Sequence, residues 1–146
     1  MSTAENKTIV RRLLEDGFNA GALAVFDELL APDFVNHDPA NPTVRDRAGL
    51  KQYWAALCAG FPDQHTVAEE LLADGDKVVK RATFRGTHSG TFNGLPPTGK
   101  QVTIASISIY RLVNGRITEI WWGYDNLGVL QQLGVVPQAQ AEPVSV

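Results

Sequence analysis

Asp125 is the residue on which an acid–base reading of this sequence turns. It closes an alternating run, ITEIWWGYD, that sets Trp121, Trp122 and Tyr124 just ahead of a single carboxylate. A carboxylate crowded by aromatic rings loses hydration, and such a group can take up and return a proton near neutral pH. The same position, ahead of NLGVLQQLG, also suits a helix N-cap, in which an Asp or Asn side chain accepts a backbone N–H. Spacing alone favours the cap. Residues two apart share one face of a strand, so Glu119, Trp121, Gly123 and Asp125 form a row. The missing side chain of Gly123 leaves room either for a ligand against Trp121 or for a core tryptophan beside a glycine bulge.

Other residues with chemical potential are more scattered. His37 lies on a short extended piece among polar turn residues, where it is either a second proton donor or a surface histidine. His37, His65 and His88 show no metal-ligand spacing, and Cys58, the single cysteine, falls in an apolar helical pattern as a small core residue. GTHSG at 86–90 fails as a nucleophile elbow because its centre is His88 and not serine. GLPPTGK at 94–100 meets most of a phosphate-loop pattern. However, Gln101 stands where Ser or Thr would hold Mg²⁺, two prolines remove N–H donors, and a strand follows instead of a helix.

The elements that must position these residues change period midway. Ser2 and Glu5 stand at capping-box spacing ahead of Ile9, Val10, Leu13, Leu14 and Phe18, which predicts an amphipathic helix ending near Gly21. A shorter helix carries Leu23, Phe26, Leu29 and Leu30 and stops at Pro32, and residues 34–38 form a brief extended piece. Asp46 caps a third helix with Leu50, Trp54, Leu57 and Phe61 on its apolar face. Alternation then predicts four strands, at 65–73, 77–87, 101–113 and 116–125, the last two joined by the hairpin signal Asn114-Gly115. A short helix at 127–133 follows. Helices first and antiparallel strands after them define an α+β domain over 1–136, a curved sheet wrapped around three N-terminal helices, with a tail of little order at 137–146.

Composition narrows the function classes. The 146 residues carry 13 basic and 16 acidic side chains, a formal net charge of −3 with neither sign gathered into a run, so nucleic acid is not an expected partner. The densest basic stretch, Lys77, Lys80, Arg81 and Arg85, reads as a solvated or pocket-lining edge. No signal-like N-terminus or run of about 18 apolar residues is present, and a soluble cytoplasmic protein without membrane contact is expected.

Taken together, FVNHDP at 34–39, FPD at 61–63, GDKVVKRATFRGTHSG at 75–90, GLPPTGK at 94–100, ITEIW at 117–121 and Tyr124-Asp125 resemble the SnoaL-like polyketide cyclases. These are also called ester cyclases, within the nuclear transport factor 2-like superfamily. The resemblance implies a conical α+β barrel, dimeric or larger, holding a small hydrophobic substrate between helices and sheet. It also implies ring closure by intramolecular aldol condensation, of lyase or isomerase type, without cofactor. It matches Asp125 to the family's general acid/base and reverses the preference for a cap. His37 is then the second catalytic candidate, Arg81 and His88 are orienters or charge stabilisers, and Trp54 and Trp121 are pocket wall. The competing expectation is a non-catalytic binding or association domain that keeps the cone, or a related hydrolase, isomerase or hydroxylase. On the catalytic reading, Asp125→Asn costs turnover roughly 10²-fold or more.

Overall fold

A capping box sets the first helix. In the computed structural model, which describes residues 1–137, the Ser2 hydroxyl accepts the Glu5 amide at 3.1 Å and the Glu5 carboxylate accepts the Ser2 amide at 3.3 Å. Two amides that a helix start leaves open are thereby satisfied. α1 (Thr3–Arg12) continues into a π-helical segment, Leu13–Asn19, where periodicity predicts a regular α-helix. The wider turn brings two adjacent pairs, Leu13 with Leu14 and Gly17 with Phe18, to the buried side. Glycine is required at position 17, because a Cβ there would stand 2.8 Å from the Phe26 ring.

α2 (Leu23–Leu29) passes directly into β1 (Leu30–His37), longer than the piece expected from residue 34. Pro32 ends the helix yet remains inside the strand. Strand order β1-β5-β4-β3-β2 puts β1 at the sheet edge, and its register with β5 shifts between Leu30 and Val35, so a residue without an N–H is accommodated. β1 runs parallel to β5, making five strands among the described residues where alternation predicts four. Its inward residues, Phe34 and Asn36, are buried.

α3 (Arg47–Gly60) starts at Asp46, whose carboxylate accepts the Gly49 amide at 2.7 Å, and buries Leu50, Trp54 and Leu57. The remaining pairings are antiparallel, among β2 (His65–Asp74), β3 (Lys77–Thr87), β4 (Gln101–Val113) and β5 (Arg116–Tyr124). Asn114 and Gly115 both take positive φ, 50° and 79°, as a two-residue hairpin turn requires. α4 (Asn126–Gln132) is tied to the sheet by Gln132, whose side-chain amide exchanges two hydrogen bonds with the Thr103 backbone, at 2.8 and 3.0 Å.

The sheet is mostly antiparallel and the architecture is α+β. One sheet face packs on the helices through Val78, Ala82, Val102, Tyr110 and Ile120, against Phe18, Phe26 and Trp54. The opposite face leaves Val67, Leu72, Ile107 and Ile109 between 36% and 56% exposed. Apart from Pro137, the tail expected at 137–146 lies outside the described residues. Among the described residues no helix is long and apolar enough to cross a membrane.

Candidate active site

Helices and the inner sheet face enclose a cavity of about 440 Å³. Phe18, Trp54, Phe61, Phe84, Ile104 and Trp122 make much of its wall. The connection after β3 adds Phe92 and Leu95, held against each other by reciprocal backbone bonds of 3.1 and 2.9 Å, and α4 adds Val129 and Leu133. Among the lining residues there is one carboxylate, Asp38, and one ammonium, Lys80.

Asp38 follows β1 and meets the end of β5. Its Oδ2 accepts the Tyr124 hydroxyl at 3.0 Å and the Asn41 side-chain amide at 3.1 Å, and the same Asn41 amide reaches the Tyr124 hydroxyl at 2.7 Å. Tyr53, from α3, lines the cavity beside them. Burial pushes the Tyr53 hydroxyl up to about 12, with the Asp38 charge adding to the effect. Burial also raises Tyr124, reinforced by the Tyr53 and Asp38 charges. Both phenols therefore stay protonated through the neutral range, so Tyr124 can donate to the carboxylate. The result is a carboxylate at an apolar wall with fixed donors on one side.

Lys80 stands across the sheet from this group, in register with Ser108 on β4, which in turn faces Trp122 on β5. It is 2% exposed. The ammonium nitrogen lies 5.3 Å from the Phe18 ring centre, 5.4 Å from Tyr110 and 5.7 Å from Trp122. Among the described residues no carboxylate lies within ion-pair distance of it.

The expected site residues divide between two sides of the sheet. Trp54 lines the cavity, its indole N–H donating to the Phe18 carbonyl at 2.8 Å. Trp121 does not line it. The parity of β5 is set by buried Ile120, so Trp122 and Tyr124 turn inward, while Glu119, Trp121 and Gly123 occupy the opposite face. The space expected beside Gly123 therefore lies on the outer face, away from this cavity. On that outer face Trp121 stacks on His37 at 5.0 Å, nearly parallel, and His37 Nε2 meets Glu119 at 2.8 Å. Arg111 completes the group, bonding Glu119 at 2.7 Å with its guanidinium over the Trp121 ring. Arg81 is also outward, 3.7 Å from Glu70.

His88 is fully buried but outside the cavity lining. Its Nδ1 lies 2.9 Å from the Thr98 hydroxyl and accepts the Thr98 amide at 3.2 Å, and its backbone bonds Lys100 and Gly99. It pins both ends of the connection between β3 and β4. The Asp125 carboxylate is exposed and accepts the Gly128 amide at 2.8 Å as the N-cap of α4. Its neighbours Tyr124 and Asn126 line the cavity, but Asp125 itself does not. Among the described residues no group of three or more His, Cys, Asp or Glu side chains comes together that could hold a metal ion.

Asp38, Asn41 and Tyr53 are polar groups that sequence reasoning did not assign to the site, while Lys80 entered only within a solvated or pocket-lining basic edge and Tyr124 only as an aromatic neighbour of Asp125. The available signal was period two: Phe34, Asn36 and Asp38 share a parity, as do Val78, Lys80 and Ala82, and each set begins with an apolar residue that is buried.

The fold is an α+β cone, and its apolar cavity is lined by the Asp38 carboxylate and the Lys80 ammonium, the kind of concave, mostly apolar site with a few polar groups that suits a small molecule. Residues 8–133 match the family model described as SnoaL-like polyketide cyclase, and the chain belongs to that family. It is 29% identical over 132 residues to aklanonic acid methyl ester cyclase DnrD of Streptomyces peucetius, spanning 86% of this chain and 88% of that one. Nogalonic acid methyl ester cyclase of Streptomyces nogalater is 28% identical over 123 residues, spanning 80% and 89%. Among solved structures, wild-type IdmH from Streptomyces antibioticus superposes with a TM-score of 0.78 at 36% identity, covering 88% of this chain and 98% of that one.

Proposed function

We propose that this chain is a cofactor-independent ring-closing enzyme that performs an intramolecular aldol reaction on a small hydrophobic carbonyl compound, with Asp38 as general acid/base. The observation that carries the reading is a carboxylate, the one such group among the described lining residues, set at an apolar cavity and fixed by Tyr124 and Asn41. The names of the two ester cyclase relatives support it. In the reaction the carboxylate takes a proton from a carbon between two carbonyls, and the C–H electron pair passes into the conjugated system as an enolate. The enolate carbon bonds to a second carbonyl carbon of the same molecule. The resulting alkoxide recovers the proton from Asp38, so the product is an isomer of the substrate.

Its test is incubation with aryl 1,3-dicarbonyl compounds bearing a second ketone, read by chromatography with mass detection for a cyclic product of unchanged mass. A protein that converts none of them, and that purifies without a bound carbonyl compound, removes the reading.

Asp125, matched by family resemblance to the acid/base, is the second carboxylate to test. With its side chain on Gly128, Asp125→Asn should leave turnover within a few-fold and stability within about 0.5 kcal/mol of wild type, since Asn caps about as well as Asp. A fall of roughly 10²-fold in turnover at unchanged melting temperature would move the acid/base role to Asp125.

The outward sheet face bears on assembly. Val67, Leu72, Ile107 and Ile109 are exposed together on it, and a second copy of the chain is placed there as part of this proposal. Light scattering at micromolar concentration should return at least twice the 15.9 kDa chain mass, and a 15.9 kDa species alone would exclude the arrangement.

A further inference from the structure

We propose that Lys80 is the oxyanion partner of this site: its ammonium receives the enolate oxygen formed when the substrate is deprotonated, and so selects compounds that ionise to a delocalised oxyanion. The inference rests on the cyclase reading and extends it to the substrate's ionised form and a second catalytic residue.

A lysine 2% exposed and, among the described residues, without an anionic partner carries a large desolvation cost. Here the cost is offset in part by three ring faces, Phe18, Tyr110 and Trp122, each 5.3–5.7 Å from the nitrogen. Ring faces hold a cation without neutralising it, which leaves the charge available to an arriving anion. The groups around it are uncharged: Phe18 on the π-helical segment, Ser108 and Tyr110 on β4, and Trp122 on β5. Among the described residues Asp38 is the only carboxylate lining the same cavity, and it bonds Tyr124 and Asn41, not Lys80. On β3 the neighbouring Arg81 turns to the outer face. The cavity thus has separate places for a proton acceptor and for the negative charge that proton removal creates. In a water-poor site a fixed cation stabilises such an anion far more than it would in water.

The test uses 1-phenyl-1,3-butanedione, an apolar aryl diketone whose enol and enolate absorb at different wavelengths. Absorbance titration of the protein-bound probe should show ionisation about 1–3 pH units below its value in buffer, the effect of an opposite charge close to the ionising oxygen. In Lys80→Met, of similar length and without charge, the bound probe should ionise at or above its buffer value. Lys80→Gln serves as a second uncharged variant, and thermal melts of both confirm folding. If neither folds, a wild-type probe that ionises no lower than in buffer still overturns the proposal.

Failure of the wild type to bind the probe, a bound probe ionising no lower than in buffer, or a downward shift that survives in a folded Lys80→Met protein would each overturn the proposal. So would a secondary amine at Lys80 trapped by borohydride, with the added mass of the probe less one water plus two hydrogens, because the lysine would then act by imine formation and not by charge. None of these readouts depends on turnover. Loss of the Lys80 role therefore leaves the Asp38 chemistry standing, and failure of the Asp38 chemistry leaves the probe titration interpretable.

Discussion

Asp38→Asn should lower turnover by about 10²–10⁴-fold, the usual contribution of one positioned acid/base, while the Michaelis constant changes little. Asparagine keeps the shape of the side chain and one carbonyl oxygen, which can still accept from Tyr124 or Asn41 in place of the present bonds of 3.0 and 3.1 Å. What it removes is the ability to accept a proton. The two phenols do not replace it, since Tyr53 is raised to about 12 and Tyr124 is raised as well, leaving both as donors through neutral pH. Run beside Asp125→Asn, the experiment assigns the chemistry to the carboxylate that lines the cavity or to the one on the Gly128 amide. Wild-type turnover in Asp38→Asn would remove Asp38 from the mechanism, and a melting temperature close to wild type is the condition for reading the rate at all.

The elements were legible in the sequence wherever one local signal decided them. Ser2 with Glu5 and Asp46 at the start of α3 act as the caps their spacing predicts, and Asn114-Gly115 makes its hairpin. β1 was less legible because its membership depends on β5, 80 residues or more away along the chain, and on an edge position that tolerates Pro32. The site was harder still. Trp121 and Trp122 are adjacent and chemically identical, and alternation says only that they face opposite ways. Which of them faces the cavity is decided by Ile120 packing inward and by Asn36 accepting the Trp122 indole N–H at 2.7 Å, a contact between strands far apart in sequence. Lys80 was hidden for the same reason. With Lys77, Arg81 and Arg85 it belongs to a stretch that reads as a solvated or pocket-lining edge, and only its parity with Val78 and Ala82 on the packed face distinguishes it.

Phe18→Ala should cost about 3–5 kcal/mol of stability, the range for truncating a buried aromatic, and lower the melting temperature by roughly 10–20 °C in a chain of this size. Phe18 is 2% exposed and makes edge-to-face contacts with Phe26, Trp54 and Trp122 at 5.1, 4.5 and 5.8 Å between ring centres. Such pairs each add about 0.5–1.5 kcal/mol beyond area burial. Its backbone carbonyl accepts the Trp54 indole at 2.8 Å and the Gln64 amide at 2.7 Å. Those two bonds belong to the backbone and survive truncation, so the loss should come from packing, with the π-helical turn retained. Because Phe18 lines the cavity, its removal enlarges that space instead of opening a sealed void, and it also strips one of the three rings from around Lys80. Phe18→Leu, which keeps much of the volume but not the ring face, should restore more than half of the lost stability. Denaturant or thermal unfolding of the two variants checks this, and a cost below about 1 kcal/mol for Phe18→Ala, the level of an ordinary substitution, would mean that the helical layer does not depend on this ring to seat it on the sheet.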